Sequence, residues 1–172
     1  RFYRAVHRDP EGRLYLGQKI DDPMRVNLVT FESKPKKTRD SILLKLLHKS
    51  ENVAEDIYDQ VGVRFVTETR LDCLRVIKFL RDNRIVIPPN IKPSRSRNTL
   101  VNTERVTSLV ESMIRTGGWT SMNDEDFEVA LEEATLLNSS MRDNPHSSAT
   151  YRAIQFTGRQ LIKIVNPIYE DV

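Results

Sequence analysis

Apolar residues recur every three or four positions in four stretches of this chain, a spacing that is typical of amphipathic helices. The stretches are residues 40–49, 70–82, 103–116 and 124–138. In residues 70–82 the apolar stripe predicts an inward face, and the basic side chains are predicted to face water; these are Arg70, Arg75 and Lys78. Gly117-Gly118 predicts the end of the third helix, so the third and fourth helices form a predicted helical hairpin.

Other stretches carry the alternation or the β-branched residues that favour β-strands. They are residues 25–33, 61–67, 84–87 and 151–157, and turn signals near the N-terminus leave room for a hairpin around Leu14–Leu16. Strands and helices in this order predict a mixed central β-sheet flanked by helices, in the α/β or α+β class. We expect residues 1–172 to form a single compact domain.

Two short patterns suggest chemistry. In the last strand, alternation places Tyr151, Ala153 and Gln155 on one face, so an aromatic ring and an amide lie side by side as a platform for a base. Asp59 comes just before a β-branched run, a position that suits a metal-binding acid at the mouth of a buried strand. The same aspartate also suits a turn before a strand, and Tyr151 also suits a half-buried strand position.

Charge and cysteine content narrow the classes. The formal charge is +3, with basic clusters in residues 34–39 and 92–97 and an acidic cluster in residues 124–133. Cys73 is the only cysteine, which excludes an internal disulfide and a four-cysteine zinc site. We expect Cys73 to be a core residue. We also expect the protein to be located in the reducing cytoplasm. The chain has no apolar run of the length that spans a bilayer, so we expect no membrane partner.

Three motifs occur along the chain in a set order. Lys37 precedes Ser41-Ile42 and Lys45, an acid lies within Ile57-Tyr58-Asp59-Gln60-Val61-Gly62-Val63-Arg64, and Thr150-Tyr151-Arg152-Ala153-Ile154-Gln155 follows near the C-terminus. Together they resemble the nucleotidyltransferase-like synthetase domain of the RelA/SpoT family, the enzymes that make the alarmone (p)ppGpp. The resemblance covers about residues 25–160, with the helical hairpin as an insertion.

The resemblance implies a nucleotidyltransferase-like fold that transfers pyrophosphate from ATP to the 3′-hydroxyl of a guanine nucleotide or a related acceptor, such as an RNA end. It implies that Asp59 is the catalytic acid that holds Mg²⁺. Lys37, Ser41 and Lys45 are then contacts for the ATP phosphates, in agreement with the anion affinity of a helix N-terminus. Arg64 supports the site or pairs with a phosphate.

On the acceptor side, the resemblance implies that Tyr151 stacks on the guanine. Gln155 stands where the family has histidine, and Thr150 stands where it has glycine. Lys92 is interpreted as the remnant of a lysine-bearing loop that precedes the tyrosine in the family. The resemblance leaves the identity of the acceptor base open.

One part of the family pattern is missing. The family's second catalytic acid is a glutamate in a strand that reads Glu-x-Gln-Ile-Arg, and residues 158–172 contain no such motif. Either the glutamate lies beyond Val172 in a longer parent chain, or the domain retains binding and has lost the chemistry. We expect the given chain to be part of a longer protein that does not turn over by itself.

Two further hypotheses stay open. In the first hypothesis, the chain is a non-catalytic nucleotide or RNA binder that uses the two basic clusters, with Tyr151 as a stacking platform. Alternatively, it is a protein-interaction module whose acidic face lies in residues 124–133 of the inserted hairpin. The first predicts a steep dependence of binding on salt, and the second predicts that loss of Asp59 is tolerated.

Overall fold

The computed structural model describes residues 2–19, 22, 24–34, 61–118, 121–136 and 151–159. Its strands are β1 (Val6–Arg8), β2 (Leu14–Leu16), β3 (Val26–Leu28), β4 (Thr30–Lys34), β5 (Gly62–Val66), β6 (Arg97–Asn98) and β7 (Ile154–Gln155). Its helices are α1 (Arg70–Asp82), α2 (Thr103–Thr116) and α3 (Asp124–Leu136). Every strand pair in these ranges is antiparallel, and the strands form three small sheets. This part of the chain is therefore α+β.

The first sheet contains β1, β2 and β3 in that order. The hairpin predicted around Leu14–Leu16 is confirmed, and it turns at Gly12, whose φ of 82° lies in the left-handed region that glycine adopts without strain. The Asp9 carboxylate accepts a hydrogen bond from the backbone N–H of Arg13 at 2.8 Å and so fixes the turn. The hairpin supplies Leu16 to the core.

The second sheet pairs β4 with β5. The single strand predicted for residues 25–33 is wrong, because the chain changes partner at Val29 and becomes two strands in two sheets. The backbone N–H of Val29 donates to the carbonyl of Val66 at 2.8 Å, which begins the new ladder. At the other end Lys34 pairs with Gly62, so the two strand ends that adjoin the segment 35–60 lie opposite each other.

Helix α1 packs on both of these sheets. Its buried residues are Val76 and Leu80, and they form one core with residues of the first sheet, namely Ala5, Leu16, Val26 and Leu28. The predicted bounds of the helix are confirmed. Thr69 caps its N-terminus by accepting from the N–H of Asp72 at 3.0 Å.

The chain after α1 does not form the predicted strand of residues 84–87. The backbone N–H groups of Ile85 and Val86 both donate to the carbonyl of Leu80, at 2.9 and 3.0 Å, so they are not free to join a ladder. Arg84 takes a φ of 53°, a left-handed conformation that ends the helix and turns the chain. This turn leads into the loop that carries the second basic cluster.

Helices α2 and α3 form the predicted hairpin. Gly117 has a φ of 72° and ends α2 as predicted, because the left-handed conformation at this position costs a glycine little. Met113 and Leu131 are buried in the hairpin. Helix α3 also packs on α1, so the hairpin is joined to the helix that covers the first two sheets.

The interface between α1 and α3 is charged. The Arg70 side chain is 19% exposed and lies against Glu128 and Glu132, and Arg75 donates to both oxygens of Asp124 at 2.7 Å. The prediction that Arg70 faces water is therefore wrong, since α3 covers it, whereas the Arg75 side chain stays 42% exposed while it is paired with Asp124. Lys78 is exposed as predicted and pairs with Asp82.

Candidate nucleotide site

Residues 90–99 and 151–159 run antiparallel to each other, and we call this pair of segments the Tyr151 ribbon. Strands β6 and β7 are its most regular part, with Arg97 opposite Gln155 and Asn98 opposite Ile154. Further backbone hydrogen bonds extend it, from Lys92 N–H to Thr157 O at 2.9 Å and from Thr99 N–H to Ala153 O at 2.8 Å. The ribbon therefore holds the second basic cluster beside the predicted tyrosine strand.

Local sequence explains why residues 90–99 adopt this path. The proline pair Pro88-Pro89 and the single Pro93 begin two short 3-10 turns, Pro88–Asn90 and Pro93–Arg95. After β6, the Asn98 side chain accepts from the N–H groups of Leu100 and Val101 at 3.0 and 3.2 Å. An asparagine that binds the backbone two and three residues ahead ends a strand, so the ladder stops there.

Tyr151 and Gln155 lie side by side, as alternation along the strand predicts. The Gln155 amide Nε2 donates to the Tyr151 hydroxyl at 3.2 Å, and the ring of Tyr151 is 43% exposed. The regular strand is shorter than predicted, because only Ile154–Gln155 pair in the ladder. Residue Ala153 is still held, since its N–H donates to the Thr99 hydroxyl at 3.1 Å.

The ribbon adds a cation that the sequence did not single out as a site residue. Arg97 is directly opposite Gln155 in the antiparallel register, and such pairs project their side chains on the same side of a sheet. A guanidinium, an amide and a phenol ring thus belong to one surface. The signal for Arg97 was its place in the basic cluster of residues 92–97, but the cluster alone does not say which cation meets the amide.

The charge of the ribbon is strongly one-sided. Its two segments contain five basic residues and no acidic one; the basic residues are Lys92, Arg95, Arg97, Arg152 and Arg159. The backbone of Lys92 is held in place by the hydrogen bond from its N–H group to the carbonyl of Thr157. Lys92, Tyr151 and Gln155 were predicted as site residues from distant parts of the sequence, and the structure brings all three onto this ribbon.

Arg64, the other described site residue, lies elsewhere. It is on β5, in a different sheet from the ribbon, and its guanidinium pairs with Glu32 at 3.5 Å. Both side chains are about half exposed, so this pair is a weak surface interaction. Arg64 and Lys34 are on the same β4–β5 strand pair, and the segment 35–60 connects the two strands at the end where Lys34 pairs with Gly62.

The remaining predicted site residues, Lys37, Ser41, Lys45 and Asp59, lie outside the described residues. Their assignment to the ATP phosphates and to Mg²⁺ stays a prediction. Among the described residues, no group of three or more histidine, cysteine, aspartate or glutamate side chains could hold a metal ion. Within the same ranges, no helix has the length and apolar character that crossing a bilayer requires.

Half of the six acids in the α3 cluster contact other residues of the domain. Asp124 binds Arg75, while Glu128 and Glu132 bind Arg70. Glu128 also accepts from the backbone N–H groups of Arg70 and Leu71 at 2.9 and 2.8 Å. These acids therefore hold the α2–α3 hairpin to α1, and the acidic surface left for a partner is smaller than the sequence suggests.

Cys73 is partly buried on α1, and burial raises the pKa of its thiol. We expect the native protein to react with a thiol-specific disulfide reagent at least about tenfold more slowly than the unfolded chain at the same pH, because the thiolate is the reactive form. The same protein in guanidinium chloride is the control. Equal rates in the two states would contradict a buried Cys73.

An apolar cavity of about 410 Å³ lies between α1 and the Tyr151 ribbon. Ile77 and Leu80 of α1 form one wall, and Ile154 and Phe156 of the ribbon form the opposite one. Gln155 and Arg97 also border it.

Comparison of the chain with models of known protein families, with curated proteins and with solved structures finds no match in any of the three.

Proposed function

We propose that this chain is a nucleotidyltransferase-like domain of the RelA/SpoT type, which binds ATP and a guanine nucleotide and transfers pyrophosphate between them. The observation that supports the proposal most is the Tyr151 ribbon, where an exposed ring is bonded to the Gln155 amide on a segment that carries five cations and no acid. A ring, an amide and neighbouring cations are the groups that bind a base and its phosphates.

The chemistry of the proposal is an in-line phosphoryl transfer. The acceptor's 3′-hydroxyl oxygen attacks the β-phosphorus of ATP, the bond to the α-phosphate oxygen breaks, AMP leaves, and the hydroxyl proton passes to a base or to water. Catalysis of such a step consists mainly of positioning and of charge neutralisation. Bound Mg²⁺ supplies part of that neutralisation, and Asp59 offers the carboxylate oxygen that this ion prefers.

This chain's own residues divide into two groups in the proposal. Lys37, Ser41 and Lys45 bind the ATP phosphates, and Arg64 supports them from the adjoining β4–β5 strand pair. Tyr151 and Gln155 bind the acceptor base, while Lys92 contributes charge next to them. The antiparallel pairing of Lys34 with Gly62 supports the first group, since it brings the residues on either side of the segment 35–60 together.

Replacing Tyr151 by alanine is expected to weaken GDP binding by roughly tenfold to a hundredfold, because stacking contributes that much per base. Tyr151→Phe keeps the ring and is expected to bind GDP nearly as well. Tyr3→Ala is the matched control, since Tyr3 is also exposed but lies at the N-terminus. Isothermal titration calorimetry measures all four proteins, and equal losses in Tyr151→Ala and Tyr3→Ala would contradict the base platform.

Incubation with ATP, Mg²⁺ and GDP or GTP separates the active form of the proposal from the inactive one. A pyrophosphorylated product that Tyr151→Ala no longer makes supports a pyrophosphokinase. Binding of both nucleotides without product supports a domain that has kept binding alone, as the missing glutamate motif suggests. Absence of nucleotide binding at any Mg²⁺ concentration overturns both forms.

A second candidate function, RNA binding, is favoured by the same one-sided charge of the ribbon. A single strand stacks its bases on exposed rings and places its phosphates on cations, without a requirement for Mg²⁺. Each phosphate contact makes affinity fall further with salt. Oligonucleotide binding that weakens steeply with salt and does not depend on Mg²⁺ supports this candidate. GDP binding that is equally tight with and without the bound oligonucleotide argues against a shared site.

A further inference from the structure

The cavity between α1 and the Tyr151 ribbon has a chemistry of its own. Six apolar side chains form most of its surface; they are Ile77, Leu80, Val86, Ile91, Ile154 and Phe156. At about 410 Å³ it falls in the range of small-molecule sites, which is about 300–1,000 Å³. Tyr151 is not among the residues that border it, so the cavity and the exposed ring are separate features joined only through Gln155.

The polar groups that border the cavity are mostly already bonded within the protein. The Asn98 amide donates to Val101 O at 2.9 Å and accepts from two backbone N–H groups. The Ser96 hydroxyl donates to Lys92 O at 2.9 Å, and the Gln155 amide donates to the Tyr151 hydroxyl. A heterocyclic base placed here would find few partners for its polar edge, and a buried polar edge without partners is costly.

The charges that border the cavity are two arginines, and no acidic residue borders it. Arg81 is paired with its neighbour Asp82 at 3.0 Å and is 60% exposed. Arg97 has no hydrogen bond or ion pair from its guanidinium to any of the described residues, and its side chain is half-buried. An apolar cavity with Arg97 at its border is complementary to a ligand that has an apolar chain and one negatively charged end.

We propose that this cavity binds a free amphipathic carboxylate, such as a medium-chain alkyl carboxylate, with the chain in the cavity and the carboxylate on Arg97. The apolar walls bind the chain by removing it from water. The planar guanidinium binds both carboxylate oxygens at once, a geometry that lysine or an amide cannot reproduce. The interior of this site is separate from the nucleotide platform, because neither Tyr151 nor the segment 35–60 takes part in it, while Arg97 and Gln155 border both.

The test compares octanoate with 1-octanol, which has the same chain and no charge, by calorimetric titration of the whole chain. One octanoate is expected to bind per protein, at least about tenfold more tightly than octanol, since a hydrogen-bonded ion pair contributes that much. Arg97→Gln is expected to remove this preference and to leave octanol binding unchanged. Arg105→Gln, which removes an exposed cation from α2, is the matched control and is expected to change neither.

A second variant locates the chain. Ile91→Phe adds volume inside the cavity and is expected to weaken both octanoate and octanol by about tenfold or more, with circular dichroism to verify folding. If Ile91→Phe does not fold, the comparison of Arg97→Gln with Arg105→Gln decides alone. Equal affinities for the acid and the alcohol, or equal effects of the two arginine variants, would overturn the proposal, as would the lack of saturable binding. Retention of octanoate binding in Tyr151→Ala is also required.

Discussion

Replacing Glu128 by alanine is expected to lower the free energy of unfolding by about 2–4 kcal/mol, because two backbone N–H groups lose their acceptor and Arg70 loses one of its two acidic partners. Its two carboxylate oxygens accept from the N–H groups of Arg70 and Leu71, at 2.9 and 2.8 Å. These are the first two N–H groups of α1, which have no partner inside the helix. Glu128 also forms an ion pair with the Arg70 guanidinium at 3.7 Å, and Arg70, whose side chain is 19% exposed, would keep only Glu132 as an acidic partner.

The comparison with Glu133 isolates this cap from a general effect of charge. Glu133 is on the same helix and is exposed, so Glu133→Ala is expected to change stability by less than about 0.5 kcal/mol. Glu128→Gln keeps an acceptor oxygen and loses the charge, and we expect an intermediate loss. Urea unfolding followed by circular dichroism measures the three variants. A loss in Glu128→Ala no larger than that in Glu133→Ala would show that the cap contributes nothing.

The helices were predicted well because their limits depend on neighbouring residues. Helix α1 begins after Thr69, whose hydroxyl accepts from an N–H three residues ahead, and α2 ends at Gly117, which alone can take the left-handed conformation cheaply. Such signals act over one turn of chain and are readable in the sequence. The orientation of Arg70 was not readable, because the acid that covers it is 58 positions away.

The strands were predicted less well because their partners are distant in the sequence. Residues 25–33 look like one strand, but the N–H of Val29 bonds to Val66 and the chain enters a second sheet there. Residues 84–87 have strand-forming side chains, yet the N–H groups of Ile85 and Val86 bond back to the carbonyl of Leu80. In both cases tertiary hydrogen bonding overrides local preference, as is common for β-structure.

The candidate site was predictable in part for the same reason. Alternation within one strand was enough to place Tyr151 beside Gln155. It could not place Arg97 there, because that requires the register between two segments that the α2–α3 hairpin separates in the sequence. The apolar cavity was equally hidden, since its walls come from α1, from the connection after it and from both segments of the ribbon.

Replacing Asp59 by asparagine is expected to weaken Mg²⁺-dependent ATP binding by about a hundredfold or more, since even indirect supports of a metal site cost up to that much. The prediction follows from the resemblance of residues 57–64 to the RelA/SpoT synthetase domain, in which the aspartate holds Mg²⁺. Asparagine has nearly the same shape and lacks the charge, so the change tests the charge on the metal ligand. Titration of ATP with Mg²⁺ and with EDTA measures the dependence in both proteins.

Asp126→Asn is the control, because Asp126 is an exposed acid on α3 that lies outside the residues assigned to ATP, Mg²⁺ and the acceptor. It is expected to bind ATP like the unsubstituted chain. The Asp59 variant should also bind GDP normally, since the acceptor base is assigned to the Tyr151 ribbon and not to the metal. ATP binding by the unsubstituted chain that is equally tight in EDTA would remove the metal role of Asp59. Nucleotide binding that does not require Mg²⁺ fits the RNA- or nucleotide-binding alternative, in which the ribbon's cations alone neutralise the phosphates.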